Sequence, residues 1–427
     1  MSDAPPAPRR FGVLYVLAMF GCFVAFMPLA PLILPAKIAA IETIRGGEAQ
    51  VAALSWLLIA GGIMAALGNI LAGYLSDRVY ARDGHRRRMI VTGLGAVIAA
   101  LALLAAVRGF AALMLAVLTF QLALNCLLAP LVAMMVDHVS DSAKGTMAGW
   151  LGLALPVGSL AVTLLSTLPV IATAAQIAIM GAVTVTLTLP LVLCWPVVLP
   201  AAPSPTPAEN TLVASAGPLG ANFALAWTAR LLIQFAAAAI LPYLYYYVAF
   251  VLRPEGGDAA ISTMVGSLSL IFAIASIIGG LAIGSWSDRV RRRQWVLAGS
   301  AILVALGMIG LAVLTRWPLV FAAQALFAVG LAGFLAVDGA IVAKLISASN
   351  HRATLLGVMN ITNTLPVVLA PMVSLFVIAD GANGPAGRIV LVLQLATAGA
   401  VVAAFCASRI KLPSTVIGAG HYRSPPH

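Results

Sequence analysis

Charge is what this sequence has least of. Asp, Glu, Lys and Arg make up 9% of the residues, where a soluble domain carries about 25%, so the chain cannot build a surface that faces water. Histidine is also scarce. His85, His138, His351, His421 and His427 are scattered over loops and termini. No nucleophile, metal-ligand set or acid pair clusters around them, which argues against an enzyme and against a resident metal or other cofactor. Cys22, Cys126, Cys194 and Cys406 lie far apart, within or at the ends of apolar runs, and none forms a CxxC or CxxH pattern. They read as small buried hydrophobes. A GxxxxGK[ST] stretch is absent too, which removes ATP as a direct energy source.

Apolar sequence is abundant. Hydrophobic residues make up 62% of the 427, mean hydropathy is +1.07, and runs of 18 or more recur, each long enough to cross a hydrocarbon core of roughly 30 Å as a helix. Twelve spans are expected, at roughly 11–36, 51–75, 89–107, 110–136, 146–168, 171–195, 223–251, 261–285, 294–314, 318–344, 354–378 and 388–408. The first is too long for a signal-peptide core and lacks a small-residue cleavage site, so it reads as a retained span. Between spans six and seven, "PVVLPAAPSPTPAENTLVASAGPLG" has the Pro, Ala and Ser content of a linker. The expected fold is an all-α integral membrane protein of two pseudo-symmetric six-helix halves. Residues 1–195 and 223–410 form the halves, 196–222 the linker and 411–427 a tail.

The pI near 10 would suggest a nucleic-acid partner if the basic residues formed a face on soluble structure. They follow membrane topology instead. Seventeen of the 24 Lys and Arg fall on the side of Arg9 and Arg10, six on the opposite side, and one, Arg230, inside a span. By the bias of Lys and Arg toward cytoplasmic loops, both termini are cytoplasmic. A multi-pass protein of the plasma (inner) membrane is expected, working as a monomer, with the bilayer as partner and nucleic acid excluded.

The scarce charges concentrate in "GYLSDRVYARDGHRRRMI" (73–90), and a second version, "GSWSDRVRRRQW" (284–295), follows 211 residues later at the end of span eight. Parallel halves around a central site are a transporter architecture. The repeated Gly-x-Leu/Trp-Ser-Asp-Arg pattern resembles the loop signature of the major facilitator superfamily, and the resemblance covers essentially the whole chain. "PLAPLILPAKIAAI", "GYLSDRVYARDGHRRRMI" and "LLGVMNITNTLPVVLAP" are similar to its glycoside/cation-symporter-like branch, related to sucrose transporters. The resemblance implies a conformational latch at Gly73, Asp77, Arg78, Gly284, Asp288 and Arg289, each aspartate meeting the other half to lock the outward-open state. Physically, the glycines permit close helix approach, a carboxylate at a helix end can satisfy the amides of a neighbouring helix, and the arginines meet anionic headgroups.

Ionisable groups within spans are costly and therefore functional candidates. Arg230 and Asp338 sit in spans seven and ten, each ~10 Å inside the basic side at 1.5 Å per residue. Pairing would offset the burial of each, and the pair is expected to gate a cavity or take part in proton coupling. The alternative is that each faces cytoplasmic water separately. The resemblance places a cavity between spans one, four, seven and ten. Gln121, Asn125, Trp227, Gln234, Tyr243, Gln324, Asn360 and Asn363 supply amide and aromatic side chains at helical spacing. Such groups suit a polyhydroxylated ligand, whose rings have apolar faces and polar edges. They would serve equally to join helices, and the tyrosines to form an interfacial belt. Cation-coupled relatives commonly carry acids in their early spans. Here the first three hold none before Asp77, so proton coupling rests on Asp338.

The expected function is secondary transport of a small polar solute, a sugar or glycoside, by alternating access, either coupled to protons or uncoupled. The alternatives are an organic-anion transporter or a non-transporting scaffold on the same fold. A sealed apolar cavity would favour the scaffold, a solvated polar one transport.

Overall fold

A computed structural model describes residues 9–139, 141–168, 171–195, 220–290, 292–347, 352–379 and 384–411. The expected linker, the tail, and with them Arg291, His351, His421, Arg423 and His427 lie outside the described residues. Twelve helices are long and apolar enough to cross a membrane: α1 (Arg10–Ala39), α2 (Gly47–Asp83), α3 (Arg87–Ala106), α4 (Phe110–Met135), α5 (Ala143–Ser166), α6 (Thr173–Leu193), α7 (Ala221–Leu252), α8 (Gly257–Arg289), α9 (Arg293–Val313), α10 (Trp317–Leu345), α11 (Gly357–Phe376) and α12 (Gly384–Arg409). The start of α1 and the end of α12 mark the basic side. The other side is called the far side.

α2 and α8 run well past the apolar limits read from sequence, through Asp83 and Arg289. Hydropathy registers only the part in hydrocarbon, whereas the i→i−4 hydrogen bonds continue into water until something stops them. At α2 the stop is Gly84, at φ 70°, a left-handed cap that glycine adopts without strain. The repeated motif is therefore the last turns of a helix and not a loop that follows it.

The helices pack as two sixes. Within the first, α1 packs on α6 and α5, α4 on α2 and α3, and α3 on α6. Within the second, α7 packs on α12 and α11, α10 on α8 and α9, and α9 on α12. Each pairing has its counterpart six helices on. The halves meet through α5 on α8 and α2 on α11, again a symmetric pair of contacts. Glycine allows some of these backbones to touch: a Cβ on Gly93 of α3 would lie 2.7 Å from the Leu127 backbone of α4. Small residues let dispersion contacts replace the hydrophobic driving force that lipid does not supply.

Proline sets the irregular points. Pro31 lies in a π-helical segment, Leu29–Ile33, of α1, and Pro242 in a 3₁₀ segment, Leu241–Tyr243, of α7. They are 211 residues apart, the same offset as the repeated motif. A proline lacks the N–H its helix needs and crowds the preceding turn, so both halves interrupt their first helix at the same depth. α5 breaks its helical hydrogen bonding at Leu153, three residues before Pro156. Outside, exposed Ile70, Leu164, Leu281 and Phe376 belong to an apolar surface suited to lipid and far larger than water tolerates.

Candidate functional site: a cavity between the halves

A cavity of about 230 Å³ lies between the halves and takes wall residues from α1, α2, α4, α5, α7, α8, α10 and α11. Both proline breaks line it, so the irregular backbone falls where the helices surround open space. Four expected site residues, Gln121, Gln234, Gln324 and Asn363, are in its wall. The other four are not, and each is engaged elsewhere. Trp227 donates its indole N–H to the Val358 carbonyl (2.9 Å). Asn125 donates to the Gln121 carbonyl (2.8 Å). Asn360 accepts from the Asn363 amide (2.9 Å). The Tyr243 hydroxyl meets Ser55 of the other half (2.7 Å), and Ser374 as well. These positions satisfy helical spacing, but spacing defines a face and not what that face meets.

Beside the cavity is a charged network confined to the second half. Arg230 donates to Asp338 (3.0 Å) through one amino group and to the Asn363 amide oxygen (3.1 Å) through the other. Gln234 donates to that same oxygen (3.2 Å). Asp338 is 1% exposed, and its second oxygen, Oδ1, has no hydrogen-bond partner. The chain of contacts thus runs from a buried carboxylate, through one arginine, to two amides in the cavity wall. Since α7, α10 and α11 belong to one half, the pair does not bridge the halves.

The described side-chain bonds that do bridge them lie toward the far side. Besides Ser55–Tyr243, Thr163 of α5 donates to the Gly266 carbonyl of α8 (2.9 Å), and Arg388 of α12 pairs with Glu48 of α2 (3.0 Å). Phe250 and Pro385 close on Gly47 there as well. Toward the basic side, α11 instead presents Gly357, Asn360 and Thr364 as an exposed strip.

At the basic end, the aspartates of the repeated motif keep to their own half. Asp77 accepts from Arg86 (2.9 Å), which also donates to Ser76 (2.6 Å) and Asp137 (2.7 Å). Arg86 is buried outside the hydrocarbon. Burial works against its charge, but the hydrogen bonds it donates to Asp137 and Asp77 prevail and hold its pKa above the ordinary value. Asp288 takes Arg293 (2.7 Å), Arg78 stacks on Tyr74 (4.7 Å), and Arg289 is exposed. Nothing lies within 4 Å of where a Gly73 Cβ would be, and the Gly284 neighbour, Ala336, is at an ordinary 3.7 Å. In this structure neither glycine makes the close approach expected of it.

The sequence of the whole chain decides the family. The family model described as Major Facilitator Superfamily matches residues 11–259 and 235–416. The chain belongs to the Major Facilitator Superfamily. Among solved structures it is similar to a bacterial homologue of the human lysosomal transporter Spinster. In the inward-facing, occupied conformation the TM-score is 0.67 at 14% identity, covering 94% of this chain and 96% of that one. In the inward-facing, unoccupied conformation it is 0.62 at 13% identity, covering 94% of each. No curated protein matches the chain in sequence. Likenesses at this identity establish the fold. Membership of the superfamily makes the chain a multi-pass membrane protein and points to a secondary transporter, not an enzyme.

Sequence reading missed Ser55, Glu48 and Arg388 as groups that join the halves, and Arg86 with Asp137 as the centre of the basic-side cluster. Glu48 and Arg388 are opposite charges at far-side helix starts, which was a usable signal. Choosing them as partners requires knowing that α2 and α12 approach each other.

Proposed function

We propose that this protein moves a small solute through the central cavity by alternating access, coupled to protons through Asp338, across the plasma membrane with both termini in the cytoplasm. The observation that carries the reading is a cavity between two halves whose described cross-half bonds lie toward one side. Rocking the halves about the cavity would break Glu48–Arg388 and Ser55–Tyr243 and bring the basic ends together, where Asp77 could exchange Arg86 for the other half. Protonating Asp338 removes the partner of Arg230, which also holds Asn363. A proton on the carboxylate would thereby change the hydrogen bonding of two residues in the cavity wall, and this is the physical content of coupling here. The bias of basic residues to one side supports the orientation.

The sugar reading rested on aromatic platforms as well as amides. Trp227 and Tyr243 lie outside the cavity wall, which leaves the amides as its support. The exposed strip on α11 favours an accessible cavity, and hence transport, over a sealed scaffold. The test is uptake by proteoliposomes under an imposed pH gradient, with the Ser55→Cys/Ser374→Cys pair as a means of locking the far side. Saturable uptake abolished by crosslinking, and uncoupled from pH in Asp338→Asn, is expected. Uptake indifferent to both would overturn the mechanism.

A further inference from the structure

We infer that the cavity selects an uncharged, mainly apolar solute carrying one or two hydrogen-bonding groups, at least one of them a donor. This rests on the transport reading only in placing the cavity on the solute's path. Among the described residues, no charged side chain lines the wall. The charges beside it, Arg230 and Asp338, are paired to each other while Asp338 is ionised, so in that state an ionic solute would enter with no counterion.

The polar groups in the wall are few, and half of them are already committed. Gln234 and Asn363 belong to the Arg230 network, and the Ser269 hydroxyl bonds the Val265 carbonyl (2.8 Å). Gln121, Ser159 and Gln324 remain. They come from α4, α5 and α10, so both halves contribute. Gln324 is wholly buried. Its amide nitrogen has a long 3.5 Å contact to the Leu268 carbonyl, and its carbonyl oxygen, Oε1, has no partner. That oxygen is a buried acceptor without a donor, which a solute O–H would satisfy once the Gln324 side chain turns toward the cavity. The remainder of the wall is aliphatic or phenylalanine, with Phe26, Phe120 and Phe272 from three different helices. A hexose turned into this cavity would present more hydroxyls than there are free partners. Each unmet group would cost roughly ten-fold or more in affinity. A compact alcohol buries its body against the wall and spends its one O–H on Gln324.

The test is equilibrium binding to the full chain in lipid nanodiscs, with empty nanodiscs subtracting partition into lipid. The probes share one skeleton, 2-phenylethanol, phenylacetate and 2-phenylethylammonium, with glucose and sucrose alongside. Saturable binding of the alcohol is expected, at least about ten-fold tighter than either ion, with no binding of the sugars. Gln324→Leu keeps the volume and removes the acceptor, and should weaken the alcohol about ten-fold. Ala238→Trp fills the cavity and should abolish binding. Helical circular dichroism and gel filtration establish that each variant is folded, and Gln121→Leu is a second polar deletion should Gln324→Leu fail that check. Stronger binding of either ion, saturable binding of a sugar lost in Ala238→Trp, or a folded protein that ignores the alcohol would each overturn the proposal. Flux separates the two readings. An alcohol that binds but is not carried defeats transport and leaves the solute class standing. A sugar carried across the membrane does the reverse.

Discussion

Each half of the molecule holds an arginine against aspartate, buried in the first and half-buried in the second, and the two arrangements sit at different depths. In the first half Arg86 gathers Ser76, Asp77 and Asp137 at the basic rim, tying the end of α2 to the start of α3 and to the helix that continues α4 to His138. In the second, Arg230 gathers Asp338 and Asn363 within the membrane beside the cavity. The rim cluster can exchange partners with water, since the Asp77 side chain is exposed. The inner one has no such outlet, because Asp338 is buried and removing either partner strands a charge in a low-dielectric interior. Similar groups therefore serve as a fastening in one half and as a candidate coupling element in the other.

The largest effect should come from breaking the inner pair. Asp338→Ala leaves Arg230 without its carboxylate, and removing one partner of a buried pair costs about 3–5 kcal/mol. Thermal unfolding in detergent should show it. The double variant Arg230→Met/Asp338→Leu should recover most of that stability, since well-packed apolar replacements of buried pairs are often neutral, while abolishing pH-driven uptake. A double variant as unstable as Asp338→Ala would mean the charges are not the issue.

At the rim the effects should be smaller and unequal. Arg86→Ala removes three hydrogen bonds from a buried site and should cost about 2 kcal/mol. Asp137→Ala should cost more than Asp77→Ala, because the Asp77 side chain is 74% exposed and solvent-screened pairs contribute about 0–1 kcal/mol. Equal costs would show that the rim works as one network. The pH dependence has a definite sign. A cation with a raised folded pKa stabilises fully below its unfolded value and loses that contribution only as pH climbs through the folded one. For Arg86 the folded value is raised above an ordinary value that is already strongly basic. The difference in stability between wild type and Arg86→Ala should therefore not decline between about pH 7 and pH 11.

The far-side pair should matter least to stability and most to access. Glu48 is 48% exposed, so Glu48→Gln should change unfolding by under about 1 kcal/mol. If the pair helps keep that side closed, alkylation of Leu58→Cys from the far side, in a background without the native cysteines, should rise several-fold. Unchanged labelling would leave closure to Ser55–Tyr243 and Thr163–Gly266.

Twelve spans, two halves and the repeated rim motif were legible because lipid imposes a one-dimensional rule. Every backbone group crossing hydrocarbon must bond within its own helix, so apolar length alone locates the spans. Arg230 and Asp338 stood out for the same reason, as the rare charges such a rule permits. Which polar residues meet was not legible. Trp227, Asn125 and Asn360 have the spacing of a cavity face, yet Trp227 fastens α7 to α11 and the two asparagines bond within their own helices, while Gln121, Gln234, Gln324 and Asn363 reach the cavity. Ser55 gave no local sign that it closes the far side, and Glu48 and Arg388 showed only opposite charge at far-side helix starts. Their partners lie well over a hundred residues away, on helices brought together only when the halves dock. Sequence determined how the chain crosses the membrane, since that depends on each segment's own solvation. Tertiary structure decided where the cavity is, what lines it and which side is closed, since those depend on which helix faces which.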